Sequence, residues 1–95
     1  MNKDEFIKFI DGDKTYLEPF KVKVRNIIDD IKFIDEEKEL WLTEDNLSDI
    51  HDYVITNMNK FKDKWGNGDK IYEAHFKWCV INFIFGRCTK IRENE

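Results

Sequence analysis

Apolar residues return at three- and four-residue steps through most of this chain, and on its last long segment they do so twice, on opposite sides. Between Ile71 and Cys88, the residues Tyr72, Phe76, Cys79, Val80, Phe83 and Ile84 share one face of a helix that turns about 100° per residue. Ile71, Ala74, Trp78, Ile81 and Phe85 share the reverse face. A helix apolar nearly all round must be covered on both sides, by its own fold or by another chain.

The same periodicity predicts three further helices. Asn2 can cap a short one running to Ile10, with Asp4 and Glu5 in its first turn where the helix dipole favours acids. Asp11-Gly12-Asp13 stops it. That segment reads as a turn and not as a calcium loop, because Leu17 stands where the loop needs glycine and Val22 where it needs its closing glutamate. Leu17, Phe20, Val24, Ile27, Ile31 and Ile34 then keep helical steps, with Pro19 tolerated in the first turn. Asp35 would fall on the apolar face, so this helix is expected to end near Ile34. Phe20 to Arg25 also alternates with period two, and Asn26 followed by Asp29 looks like a helix start, which leaves a strand over 20–24 as the alternative.

Glu36 to Leu42 reads as a separate short turn. Thr43 is a good cap for the next helix, with Glu44 and Asp45 in its first turn and Leu47, Ile50, Val54, Met58, Phe61 and Trp65 in register. Gly66-Asn67-Gly68 ends it, Asp69 caps the double-striped helix, Gly86 weakens that helix near its end, and Thr89 to Glu95 forms a polar tail.

The expected fold is therefore all-α: one domain over residues 1–95, a small bundle of about four helices, with an α+β form as competitor. The last helix is expected at the centre. The N-terminal helix and the Leu17–Ile34 helix would cover one side and the Leu47–Trp65 helix the other. The competing reading makes Ile71, Trp78, Ile81 and Phe85 a dimer or partner face, with Trp78 and Phe85 as aromatic anchors.

Composition narrows the class. With 41% hydrophobic and 38% charged residues in 95 positions, the chain is a globular domain that needs no metal or disulfide to fold. Cys79 and Cys88 stand nine positions apart, about 13 Å along a helix and on opposite sides, too far to bridge. Reduced thiols agree with a cytosol. The charged start, Met1-Asn2-Lys3-Asp4-Glu5, does not resemble a signal peptide, and Trp78–Phe85, broken by Asn82, falls short of the ~20 apolar residues that span a bilayer. A cytoplasmic protein without membrane contact is expected. Residues with AT-rich codons dominate and Ala74 is the single alanine, a bias common in AT-rich bacteria, their phages and mobile elements.

Charge is unevenly placed. Asp29, Asp30, Asp35, Glu36, Glu37, Glu39, Glu44, Asp45, Asp49 and Asp52 stand against Lys32 and Lys38 in the middle of the chain. From Lys60 to Arg92 the balance reverses. Either the two regions lie side by side and screen each other, or the acidic bend of Asp35, Glu36, Glu37, Glu39, Glu44, Asp45, Asp49 and Asp52 docks on a basic site of another protein, with Trp41 as its aromatic anchor. The net charge of −4 is too small for whole-molecule DNA mimicry.

Other chemistry finds little support. His75 and Cys79 stand four apart, but with His51 and Cys88 they form no zinc-ligand spacing, and no third group orients them as base and nucleophile. No phosphate-binding glycine loop occurs. No metal, cofactor or catalytic residue is expected, and the chain does not read as an enzyme. A helix pair joined at Gly66 could touch nucleic acid through Lys70, Lys77, Lys90 and Arg92, yet the pI near 5.2 and the apolar second helix disfavour it. The expected function is a small protein-binding factor, acting as a stoichiometric inhibitor or an immunity or anti-defence protein. A small DNA-binding transcriptional regulator is the alternative.

Overall fold

The caps read from the sequence form as hydrogen bonds. Asn2 Oδ1 accepts the Glu5 backbone N–H at 2.9 Å while Glu5 Oε1 accepts that of Asn2 at 3.0 Å, a reciprocal box that starts α1 (Lys3–Ile10). Thr43 Oγ1 accepts the Asn46 N–H at 3.4 Å and starts α4 (Glu44–Phe61). Between them come α2 (Leu17–Asp30) and the single-turn α3 (Lys38–Trp41), and α5 (Lys70–Glu93) closes the chain. Short 3₁₀ turns at Lys14–Tyr16, Lys32–Ile34 and Lys62–Lys64 link the elements. The computed structural model describes residues 1–34 and 36–93; of Phe33 and residues 88–93 it describes the backbone alone.

The all-α reading holds, and no strand occurs among the described residues. Positions 20–24 are helical: Phe20, Val24 and Ile28 are fully buried at four-residue steps, and that run continues beyond the alternating stretch, where Val22 is 48% exposed. The helix breaks earlier than the spacing predicts. Ile31 is extended (φ −80°, ψ 111°), and the following 3₁₀ turn still delivers Ile31 and Ile34 to the core. At the far end, the backbone stays helical past Gly86 to Glu93 instead of giving way to a tail.

α5 is the spine. At about 1.5 Å per residue its 24 residues run about 36 Å along a molecule whose longest dimension is 43 Å. α2 and α4 pack along it, and α1 closes one end. That end is aromatic: Phe6 lies within 6.1 Å, centroid to centroid, of Phe20, Trp65, Tyr72 and Phe76. Lys3 pins α1 across the α4–α5 turn, its Nζ donating to the Gly66 carbonyl at 2.6 Å and its backbone N–H to Asp69 Oδ1 at 3.1 Å. Gly66 takes φ +74° there, a backbone that L side chains rarely adopt.

The central position expected for the last helix is not what forms. α2, α4, α1 and Trp65 all meet the face that carries Tyr72, Phe76, Cys79, Val80 and Ile84, each fully buried. On the reverse face Ile71 is 54%, Trp78 54% and Phe85 60% exposed. The physical reason is the length of the cover. α1 has eight residues and is spent closing the aromatic end, so no helix is left for the reverse side.

Candidate protein-binding surface

Residues 71, 74, 78 and 85 recur on one side of α5 by helical arithmetic alone, and the fold leaves that side open. Ile81 differs from its neighbours: it sits at the edge of the stripe and is partly buried against the core. Phe61, at the last turn of α4, is 41% exposed and extends the apolar surface toward α4. With Ile71, Ala74, His75 and Trp78 it walls a shallow groove of about 420 Å³, almost wholly apolar, whose floor is the edge of Trp65.

The groove is built on a fixed base. Trp65 Nε1–H donates to His75 Nδ1 at 3.2 Å, and the His75 ring lies 5.6 Å from Phe61 and 6.1 Å from Trp78. His75 accepts that bond as a neutral ring, in keeping with burial holding its pKa below the usual value. Cys79, one turn on but on the core side, is fully buried, and burial pushes its thiol up to about 11. His75 thus packs beneath the groove and Cys79 in the core. Among the described residues no group of His, Cys, Asp and Glu is arranged to hold a metal ion.

Lysines rim the groove. Lys64 lines it and stands 5.4 Å over the Phe61 ring, while Lys70 and Lys77 lie exposed on the other flank of the stripe. Two acids beside them are engaged elsewhere: Asp69 accepts from the Lys3 backbone N–H, and Glu73 pairs with Lys23, whose Nζ is 2.5 Å from Glu73 Oε2. Lys64, Lys70 and Lys77 enter no ion pair among the described residues. Lys90 and Arg92, which the sequence also placed in this basic part, have side chains outside the described residues, as does Cys88.

The acidic bend is less unified than its sequence suggests. Glu36, Glu37, Glu39, Glu44, Asp45, Asp49 and Asp52 are all exposed, and Asp35 lies outside the described residues. Glu36, Glu37 and Glu39 precede α4, and on α4 Asp45, Asp49 and Asp52 share the outward side while Glu44 lies toward α2. Asp49 Oδ2 pairs with Arg87 Nη2 of α5 at 3.0 Å, and Glu44 shares a groove with Lys21 and Arg25 of α2. Trp41 is corrected outright: at 5% exposure it belongs to the core and offers no ring to a partner. Its place outside the long periodic runs hid this: α3 turns Trp41 into the core, with Leu42 partly buried against it. The exposed neighbour is Leu40, at 64%.

Sequence reasoning missed Phe61 and Lys64. Phe61 keeps perfect register with Leu47, Ile50, Val54 and Met58, but α4 ends on it and the 3₁₀ turn over Lys62–Lys64 swings Trp65 inward in its place. No helix of the described residues is long and apolar enough to cross a membrane. Compared with protein-family models, with curated proteins and with solved structures, the chain matches none.

Proposed function

We propose that this protein acts by binding another protein in a stoichiometric complex, through the exposed face of α5 around Trp78, and that it works by occluding the surface it covers. One observation carries the reading: Ile71, Trp78 and Phe85 are each more than half exposed along a single helix face, beside a groove that Phe61 and Trp65 complete. Aromatic side chains in such positions are characteristic anchors, and contiguous apolar surface on a small globular protein marks contact sites. The rim selects the occupant. Three lysines without acid partners around an apolar strip complement an apolar segment flanked by acids, such as an amphipathic helix with Asp or Glu beside its apolar face. A second copy of this chain would instead bring lysines to lysines.

The test is a photo-crosslinker placed at Ala74, recovery of the crosslinked protein from the native host, and calorimetric titration of that protein after purification. A 1:1 complex is expected whose affinity falls about 30-fold in Trp78→Ala, equivalent to about 2 kcal/mol, and falls again with added salt or in the Lys70→Glu/Lys77→Glu variant. Unchanged affinity in Trp78→Ala, or tighter binding in the lysine variant, overturns the reading. Concentration-dependent sedimentation abolished by Trp78→Glu would assign the face to a second copy, and salt-sensitive retention on heparin would favour the DNA-binding alternative.

The acidic bend supports a second reading on the strength of Leu40, an exposed leucine set among Glu36, Glu37 and Glu39. There the partner would present a basic site around an apolar pocket. Loss of the complex in Leu40→Ser, with Trp78→Ala neutral, would distinguish it.

A further inference from the structure

A second groove, nearer the N-terminal end of α4, carries different chemistry. α2 places Lys21 and Arg25 one turn apart on its edge, α4 places Ser48 and His51 opposite, and with Glu44 and Leu47 they enclose about 290 Å³. Among the described residues Arg25 enters no ion pair, and Lys21 holds one loose pair, 3.7 Å from the exposed Glu18. His51 Nε2 is buried and has no hydrogen-bond partner, although its ring stands edge-on to Phe20 at 5.0 Å. An atom buried to that degree takes no ligand from the groove; what marks the groove is two cations, one turn apart, that line it without an ion pair to Glu44. The His51 ring feels that surrounding charge. Burial, then Lys21, then more weakly Arg25 hold its pKa below the usual value, and Asp52 on its own helix pulls the other way.

We propose that the α2–α4 groove binds a phosphate monoester, its oxyanion held by Lys21 and Arg25 with the Ser48 hydroxyl as a further donor. The planar guanidinium of Arg25 matches two phosphate oxygens at once, and Lys21 supplies a point charge from one turn away. The Ser48 hydroxyl donates without adding formal charge. Leu47 gives the organic part of the ester an apolar wall, and the volume exceeds what a phosphate alone occupies. Glu44 also lines the groove and opposes an anion, which gives the assignment a sign that can be read.

The experiment is an NMR titration of the full chain with phenyl phosphate, inorganic phosphate and benzoate. Saturable shifts are expected at Lys21, Arg25, Ser48 and His51, tightest for phenyl phosphate, with the His51 imidazole titrating at higher pH when the ligand is bound. Arg25→Gln should weaken binding about tenfold or more and Glu44→Gln should tighten it severalfold. Both residues are exposed, so neither change threatens the fold, and Lys21→Gln repeats the test on the other cation. Shifts that do not saturate, that spread equally over lysines elsewhere, or that survive Arg25→Gln overturn the proposal. So does weaker binding in Glu44→Gln. Equal affinity for benzoate and phenyl phosphate removes the phosphate assignment.

Discussion

The two faces of α5 are nearly alike in composition and opposite in fate. Tyr72, Phe76, Cys79, Val80 and Ile84 lie at zero exposure, whereas Ile71, Trp78 and Phe85 stand more than half in water. Hydrophobicity did not choose between them; supply of cover did. The buried face won α1, α2, α4 and Trp65, and the helices of this short chain were then exhausted. An apolar stripe of this kind therefore says that cover would be favourable without saying whether the fold supplies it.

The largest contrast comes from truncating one aromatic on each face. Phe76→Ala should cost about 3–5 kcal/mol in urea unfolding, since its ring meets Phe6, Phe20 and Tyr72, while Trp78→Ala should stay within about 0.5 kcal/mol of wild type. Comparable losses at both would mean that the exposed face is packed after all. Gly86→Ala is next in size and opposite in sign. A Cβ at this helical glycine meets nothing within 4 Å, so a gain of about 0.4–1 kcal/mol is expected in thermal unfolding; a loss would show that the gap serves a contact.

Arg87 and Asp49 tie the flank of α5 to α4 at 3.0 Å with both side chains about half exposed. A double-mutant cycle with Arg87→Ala and Asp49→Ala should return a coupling of about 0.2–1 kcal/mol that fades in salt. Coupling that persists in high salt would place the pair in a drier setting.

The shallowest effect is on pH. Burial lowers the folded-state pKa of both His51 and His75 from 6.5. In the unfolded chain these rings take up protons first as pH falls, so their contribution is fully present above about 6.5 and is lost as pH drops toward the lowered folded values. The urea midpoint should fall from pH 8 to pH 5.5, less so in His51→Gln/His75→Gln. A slope unchanged in that variant would assign it to other groups.

Much of the fold was legible because its signals are local. Asn2 and Thr43 cap as read, Leu47, Ile50, Val54 and Met58 face the core, and the chain turns at Gly12 and Gly66 with positive φ. The misreadings arose where a local pattern met a non-local limit. Phe61 has the register of a core residue, yet the helix ends beneath it. Trp41 looked free because it lies outside the long periodic runs, but α3 turns it inward. The surface around Trp78 stood in the sequence only as one of two alternatives, because the choice depends on which helices reach α5. That Asp69 and Glu73 turn to Lys3 and Lys23 and not to the lysines beside them depends on residues far away along the chain.

The three tryptophans divide among these settings in a way that has an optical consequence. Trp41 and Trp65 sit in the core at opposite ends of the fold, at 5% and 2% exposure, while Trp78 stands at 54%. Red-edge emission, and its quenching by a water-borne collider such as acrylamide, belongs almost entirely to Trp78. The exposed face of α5 thus carries its own chromophore, and any occupant would announce itself by a blue shift and a protected indole without any label.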